Sequence, residues 1–133
     1  MILKSVEFIT LAEVFEIHQN QISLYGGEKG IRDINLLSSA LAVPQATFDG
    51  KYLCKNIFEM AAAYAFHISQ NHPFVDGNKR VGLVVALVFL EFNGIEINHT
   101  KGTLYDIMID ISKGNKGKKE LEEIFRKLSK ITK

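Results

Sequence analysis

The chain is poor in cysteine, proline and net charge: one thiol at Cys54, two prolines, and a formal charge of +1 from 16 basic and 15 acidic residues over 133 positions. A single thiol excludes an intramolecular disulfide and fits a reducing cytoplasm, with Cys54 serving packing rather than chemistry. So few prolines, with ordinary hydrophobic content, argue against long disordered stretches. The near-balance of charge excludes broad electrostatic adhesion to nucleic acid or anionic lipid, since both call for a basic excess. Neither direct nucleic-acid binding nor membrane association is therefore expected. The longest apolar stretch, Val81 to Leu90, is far short of the about 20 residues that cross a bilayer. The opening MILKSVEFIT lacks the apolar core and small-residue cleavage site of a secretory signal.

What is present is helical periodicity. Thr10 to Glu13 has the form of a capping box, Leu11, Val14, Phe15, Ile22 and Tyr25 follow helical spacing, and Gly26-Gly27 supplies a stop. His18 lies on that stripe and reads as a satisfied core or boundary residue. Asp33 caps a short second helix with the face Ile34, Leu37 and Leu41, and Pro44 ends it. Pro44 to Tyr52 carries turn residues without helical period and reads as an exposed loop or small hairpin. Asn56 caps a third helix to about Gln70, and Val81 to Leu90 writes a fourth; both are apolar all round, the mark of central, buried helices. Leu104, Ile107, Met108 and Ile111, then Leu121, Ile124, Phe125 and Leu128, predict two amphipathic covering helices, with Ile95-Glu96-Ile97 a brief extended piece between. The lysine-rich stretch from Lys113 to Lys133 reads as the solvated face of a terminal helix. The expectation is one domain over residues 1–133, an all-α bundle of about six helices with a small flap loop or hairpin.

Between the two buried helices stands HPFVDGNKR, His72 to Arg80. Asp76, Gly77 and Asn78 precede an apolar helix whose first amides have no intrahelical partner, which is an anion site. Gly77 removes the side chain that would hold a phosphate away, and Asn78 would cap the helix or bond a phosphate oxygen. Lys79 and Arg80 add positive charge in the first turn, against the helix dipole, a conflict that a bound polyphosphate removes. Asp76 offers one hard oxygen ligand beside the phosphates, suited to a shared Mg²⁺. Pro73 stops the preceding helix at His72, whose imidazole can accept a proton from an attacking hydroxyl. Phe74 reads as an apolar anchor, and His67 as packing or cleft wall. His67 and His72 lack partners at zinc spacing, and GNKR lacks the glycine frame of a P-loop. The combination points to a phosphoryl- or nucleotidyl-transferring enzyme, where positioning and charge neutralisation dominate.

The motif resembles the signature of the Fic/Doc superfamily, HxFx(D/E)GNxxR. GGEKGIRDINLLSSAL, PQATFDG, AAAYAFHISQN and VFLEFNGIEI are similar to its Doc, or death-on-curing, branch. The resemblance implies His72 as base toward a protein hydroxyl, Asp76 as magnesium ligand, Gly77, Asn78 and Lys79 as phosphate nest, and Arg80 as phosphate clamp. It also implies that the Pro44 to Tyr52 segment is a flap aligning the target. AMP-transferring members read GNGRxxR, whereas Lys79 and Leu83 stand at the second glycine and the later arginine. The Doc branch shares this departure, which implies transfer of the γ-phosphate of ATP or another nucleoside triphosphate, a kinase reaction, rather than AMP transfer. A toxin acting on threonine or serine of a translation elongation factor and silenced by a Phd-like antitoxin is implied; a non-catalytic regulatory module is the remaining alternative. No autoinhibitory (S/T)xxxE(G/N)-like pattern is evident, which points to inhibition in trans.

Overall fold

The structure is a computed structural model and describes residues 5–98 and 103–131. Helix α1, Leu11–Tyr25, opens on the anticipated capping box: Thr10 Oγ1 accepts from Glu13 N–H at 3.2 Å, and Glu13 Oε1 accepts from Thr10 N–H at 2.8 Å. It stops at Gly26, which takes φ +85°, a conformation that glycine adopts without penalty. Asp33 caps α2, Ile34–Ala42, by accepting from the amides of Asn35 and Leu36. A 3-10 turn, Val43–Gln45, buries Pro44 and leads into a hairpin of β1, Thr47–Phe48, and β2, Lys51–Tyr52. Its connection Asp49-Gly50 has positive φ at both residues, +55° and +77°, the turn whose twist matches paired strands.

Asn56 caps α3, Ile57–Asn71, through a bond from Glu59 N–H. Helix α4 covers Asn78–Phe92, α5 Thr103–Ser112 and α6 Lys118–Leu128. The expected all-α architecture of about six helices with a small hairpin is thus present. Helices α3 and α4 form its centre, and their residues Met60, Ala61, Tyr64, Ala65, Ile68, Val85, Ala86, Phe89 and Leu90 are fully enclosed. Each large apolar side chain so buried contributes about 1.5–3 kcal/mol relative to exposure. The two helices touch most closely at Gly82, where a Cβ would stand 2.8 Å from the Ala65 carbonyl oxygen. Tyr64 is anchored in this core by its hydroxyl oxygen, which accepts from Ile9 N–H at the chain entry at 3.2 Å.

The covering helices bury the expected faces, Leu104, Ile107, Met108 and Ile111 on α5 and Leu121 and Phe125 on α6. Ile95–Ile97 is a strand, β3, and it pairs antiparallel with β4, Ser129–Ile131, which periodicity does not anticipate. The terminal basic stretch is therefore not one helix to its end. Three residues are too few for alternation to register, and the pairing sets Glu96 opposite Lys130, a favourable cross-strand charge pair. Cys54 is buried, and burial raises its thiol pKa, consistent with a packing role. Among the described residues no helix is long and apolar enough to cross a membrane.

Candidate active site

His72 is the residue at which α3 ends. Pro73 forbids continuation, and His72 itself takes a left-handed conformation, φ +50° and ψ +54°, that turns the chain sharply and leaves its side chain exposed. That turn is held from outside by Arg32, whose Nε donates to the His72 carbonyl at 2.6 Å and whose Nη2 donates to the Asn71 carbonyl at 2.9 Å. A cation at a helix C-terminus satisfies carbonyls that lack intrahelical partners and opposes the negative end of the dipole. The segment around Arg32 is zipped to the motif by main-chain bonds: Arg32 and Asp33 N–H to the Pro73 carbonyl, and Val75 N–H to the Gly30 carbonyl.

Asn78 occupies a different place from the expected one. It is the first residue of α4; the cap is Gly77, in the left-handed region at φ +81° and with no side-chain cap bond. The Asn78 side chain is buried and turned back onto the loop, where Oδ1 accepts from Phe74 N–H at 2.9 Å and Nδ2 donates to the Phe74 carbonyl at 2.9 Å. Its Nδ2 also lies 3.4 Å from His72 Nδ1. Asn78 therefore braces the loop instead of capping the helix, and its side-chain amide is committed to Phe74. Among the described residues, the N–H groups of Gly77, Asn78, Lys79 and Arg80 have no acceptor, the first α4 bond running from Val81 N–H to Gly77. Four amides without intrahelical partners at a helix start, with a glycine among them, could hold an oxyanion.

Asp76 is exposed, and its Oδ2 accepts from Glu28 N–H at 3.1 Å. A side chain at Gly27 would collide with this carboxylate, a Cβ there lying 3.1 Å from Oδ2. Gly27 also lines an open hollow of about 670 Å³ with Glu16, Asn20 and Lys29. One carboxylate oxygen is thus committed to the main chain and Oδ1 remains available. Among the described residues no group of three or more His, Cys, Asp or Glu converges. A lone exposed carboxylate beside an oxyanion site fits Mg²⁺ that takes its other ligands from phosphates and water.

The two cations differ. Lys79 is half-buried and makes no ion pair among the described residues. The Arg80 guanidinium lies between two rings, 4.7 Å from the centre of Tyr25 at the end of α1 and 5.2 Å from that of Tyr105 on α5. Two cation–π contacts hold the guanidinium near the start of α4. Leu83, one turn on, is buried in the core. Phe74 is the expected anchor, fully enclosed, and His18 stacks on it with ring centres 3.9 Å apart and planes within 7°. His67 does not join His72: its Nε2 lies 2.9 Å from Lys118 Nζ, toward α6. The structure therefore gathers His72, Asp76, Gly77, Asn78, Lys79 and Arg80 on one loop and helix start, and adds Arg32, Tyr25 and Tyr105. Arg32 stands between the Gly26-Gly27 stop and the Asp33 cap, where no spacing marks a distant helix-end cap; Tyr25 carries no signal apart from helical periodicity, and Tyr105 lies off the periodic face of its helix.

Residues 8–90 match the Fic/DOC family. Toxin Doc of Mycolicibacterium smegmatis is 41% identical over 73 residues, 55% of this chain and 56% of that protein, so the matched stretch spans little more than half of that relative. Protein kinase doc of Escherichia phage P1 is 28% identical over 120 residues, covering 90% of this chain and 94% of the relative.

Proposed function

Because this chain belongs to the Fic/DOC family, we propose that it is a toxin of the Doc type that transfers the γ-phosphate of ATP, or another nucleoside triphosphate, to a threonine or serine hydroxyl of a target protein. A translation elongation factor is the target implied by resemblance, a Phd-like antitoxin the partner, and the cytoplasm the setting. The observation that carries this reading is the 3.4 Å approach of His72 to Asn78, the first residue of a helix whose leading amides have no acceptor among the described residues. A proton acceptor and an oxyanion cradle then share one loop.

The chemistry follows from those residues. The unprotonated imidazole nitrogen of His72 takes the proton of the acceptor hydroxyl as its oxygen bonds to the γ-phosphorus. The bond between that phosphorus and the β–γ bridging oxygen breaks, and the nucleoside diphosphate leaves with the electron pair. The amides of Gly77 to Arg80 and the Lys79 ammonium bind the phosphate oxygens, and the stacked Arg80 guanidinium orients its donors toward them. Mg²⁺ held by Asp76 Oδ1 would neutralise phosphate charge as the leaving group develops. Kinase rather than AMP-transfer chemistry is supported by Lys79 and Leu83: the first fills the space a second glycine would leave open, and the second turns into the core where a further arginine would reach outward. The name of the phage P1 relative, matched over nearly its whole length, points the same way. The hairpin carrying Phe48, 75% exposed, offers an edge on which a target segment can be aligned.

The test is incubation of the protein with purified translation elongation factors, Mg²⁺ and γ-labelled ATP. Label should reach a threonine or serine with wild-type protein and fail to do so with His72→Ala. Undiminished labelling by His72→Ala would remove His72 from the chemistry.

A further inference from the structure

His18 is the one imidazole on α1, and it is only 7% exposed. Its ring lies flat on Phe74, and its Nε2 is 3.0 Å from the Asp76 carbonyl oxygen. A carbonyl can only accept, so Nε2 carries the proton and donates. The Asp76–Gly77 peptide is trans and planar, as every described peptide is, so anchoring its oxygen toward α1 turns the Gly77 N–H the opposite way. That N–H is the first of the four amides without an acceptor among the described residues. Asp76 is thereby held at both ends by different segments, its carbonyl by His18 and its carboxylate by Glu28 N–H. Glycine accepts either sign of φ, so nothing in Gly77 itself holds the preceding peptide on the face that its φ of +81° reflects. A fixed donor does.

We propose that His18 is a positioning residue of the oxyanion site: its Nε2–H orients the Asp76–Gly77 peptide so that the Gly77 amide faces the phosphates. This rests on the transferase reading above. The stack on Phe74 gives His18 an ordinary packing role as well, so the test separates donor from ring. His18→Phe keeps the stack and removes the donor; His18→Gln keeps a donor near the Nε2 position and removes the ring. Binding of Mg·ATP to the full chain is measured by titration calorimetry, with the thermal midpoint of each variant and the amide resonance of Gly77 recorded alongside.

His18→Phe should weaken Mg·ATP binding at least tenfold while unfolding cooperatively, with the Gly77 amide resonance displaced. His18→Gln should bind within about threefold of wild type despite a lower midpoint, the pattern a packing role does not produce. If His18→Phe binds as wild type does, or if the two variants lose binding in step with lost stability, the assignment is wrong. Should His18→Phe fail to fold, strong binding by His18→Gln supports the donor role and weak binding overturns it. Failure of the wild-type protein itself to bind Mg·ATP sinks the transferase reading and this one together, whereas wild-type binding unaffected by His18→Phe sinks this one alone.

Discussion

The side-chain amide of Asn78 closes a ring on the main chain of Phe74, accepting from its N–H and donating to its carbonyl, each at 2.9 Å. Both partners are buried. Asn78→Ala leaves the Phe74 N–H and carbonyl without partners, at about 1–3 kcal/mol for an unsatisfied buried group. Denaturant titration should show that loss, and transfer activity should fall with it at temperatures where the variant is still folded, because the brace and the anion-binding amide belong to the same residue. Full activity in folded Asn78→Ala would show that the loop holds its shape unaided.

Arg80 is the second pivot. Its guanidinium carbon lies over the Tyr25 ring at 4.7 Å and over the Tyr105 ring at 5.2 Å. Lysine retains the charge but neither the plane nor the fork of donors. Arg80→Lys should therefore lower kcat at least tenfold with a small effect on stability, the two contacts being worth about 0.5–1 kcal/mol each at partly exposed positions. Tyr105→Leu should reproduce part of the kinetic loss without touching a phosphate ligand. Wild-type kinetics in Arg80→Lys would mean that only the positive charge matters there.

Much of this was legible in the chain, and the illegible part has a physical explanation. Helices α1 to α3 announce themselves through caps whose side chains reach amides two or three residues on, as Thr10 does with Glu13 and Asn56 with Glu59, and α4 through its apolar run alone. The motif is legible because its residues are consecutive. Arg32 is not, because the carbonyls it caps lie 39 and 40 positions along the chain, and nothing local to Arg32 encodes that meeting. Asn78 was readable as important but not as to its partner: an asparagine before an apolar run usually caps, and here the left-handed Gly77 takes the cap position and frees the amide for Phe74. Strand β4 escapes for a third reason, being too short to show a period.

The closeness of α3 and α4 carries its own prediction. Gly82→Ala removes an unfavourable helix residue, worth about 0.5–1 kcal/mol in an exposed helix. At this position the new methyl would lie 2.8 Å from the Ala65 carbonyl oxygen, which is main chain and cannot step aside alone. Overpacking at about 1–3 kcal/mol outweighs the propensity gain. The melting temperature of Gly82→Ala should drop by several degrees; a rise would show that the helices separate freely.

Stability should also depend on pH through His67. Its pKa is lowered from its ordinary 6.5, first by burial and then by the Lys118 ammonium, which donates to Nε2 at 2.9 Å. The unfolded chain therefore takes up a proton that the folded chain resists. The contribution of this site is intact above about pH 6.5 and declines as pH falls through and below that value toward the folded pKa. Denaturation midpoints measured across this window should fall with pH in the wild type and fall less in His67→Gln. Equal slopes would mean that His67 titrates alike in both states.

Transfer of the outermost phosphate onto a protein hydroxyl is the reaction proposed for this loop. The most direct measurement runs parallel reactions with ATP labelled at the γ- or at the α-phosphate, followed by mass spectrometry of the acceptor. Label should come from the γ-position alone, with an acceptor heavier by one phosphate and both signals lost in His72→Ala. Label from the α-position, with an acceptor heavier by AMP, would contradict it and return the chain to the nucleotidyl-transferring side of its family.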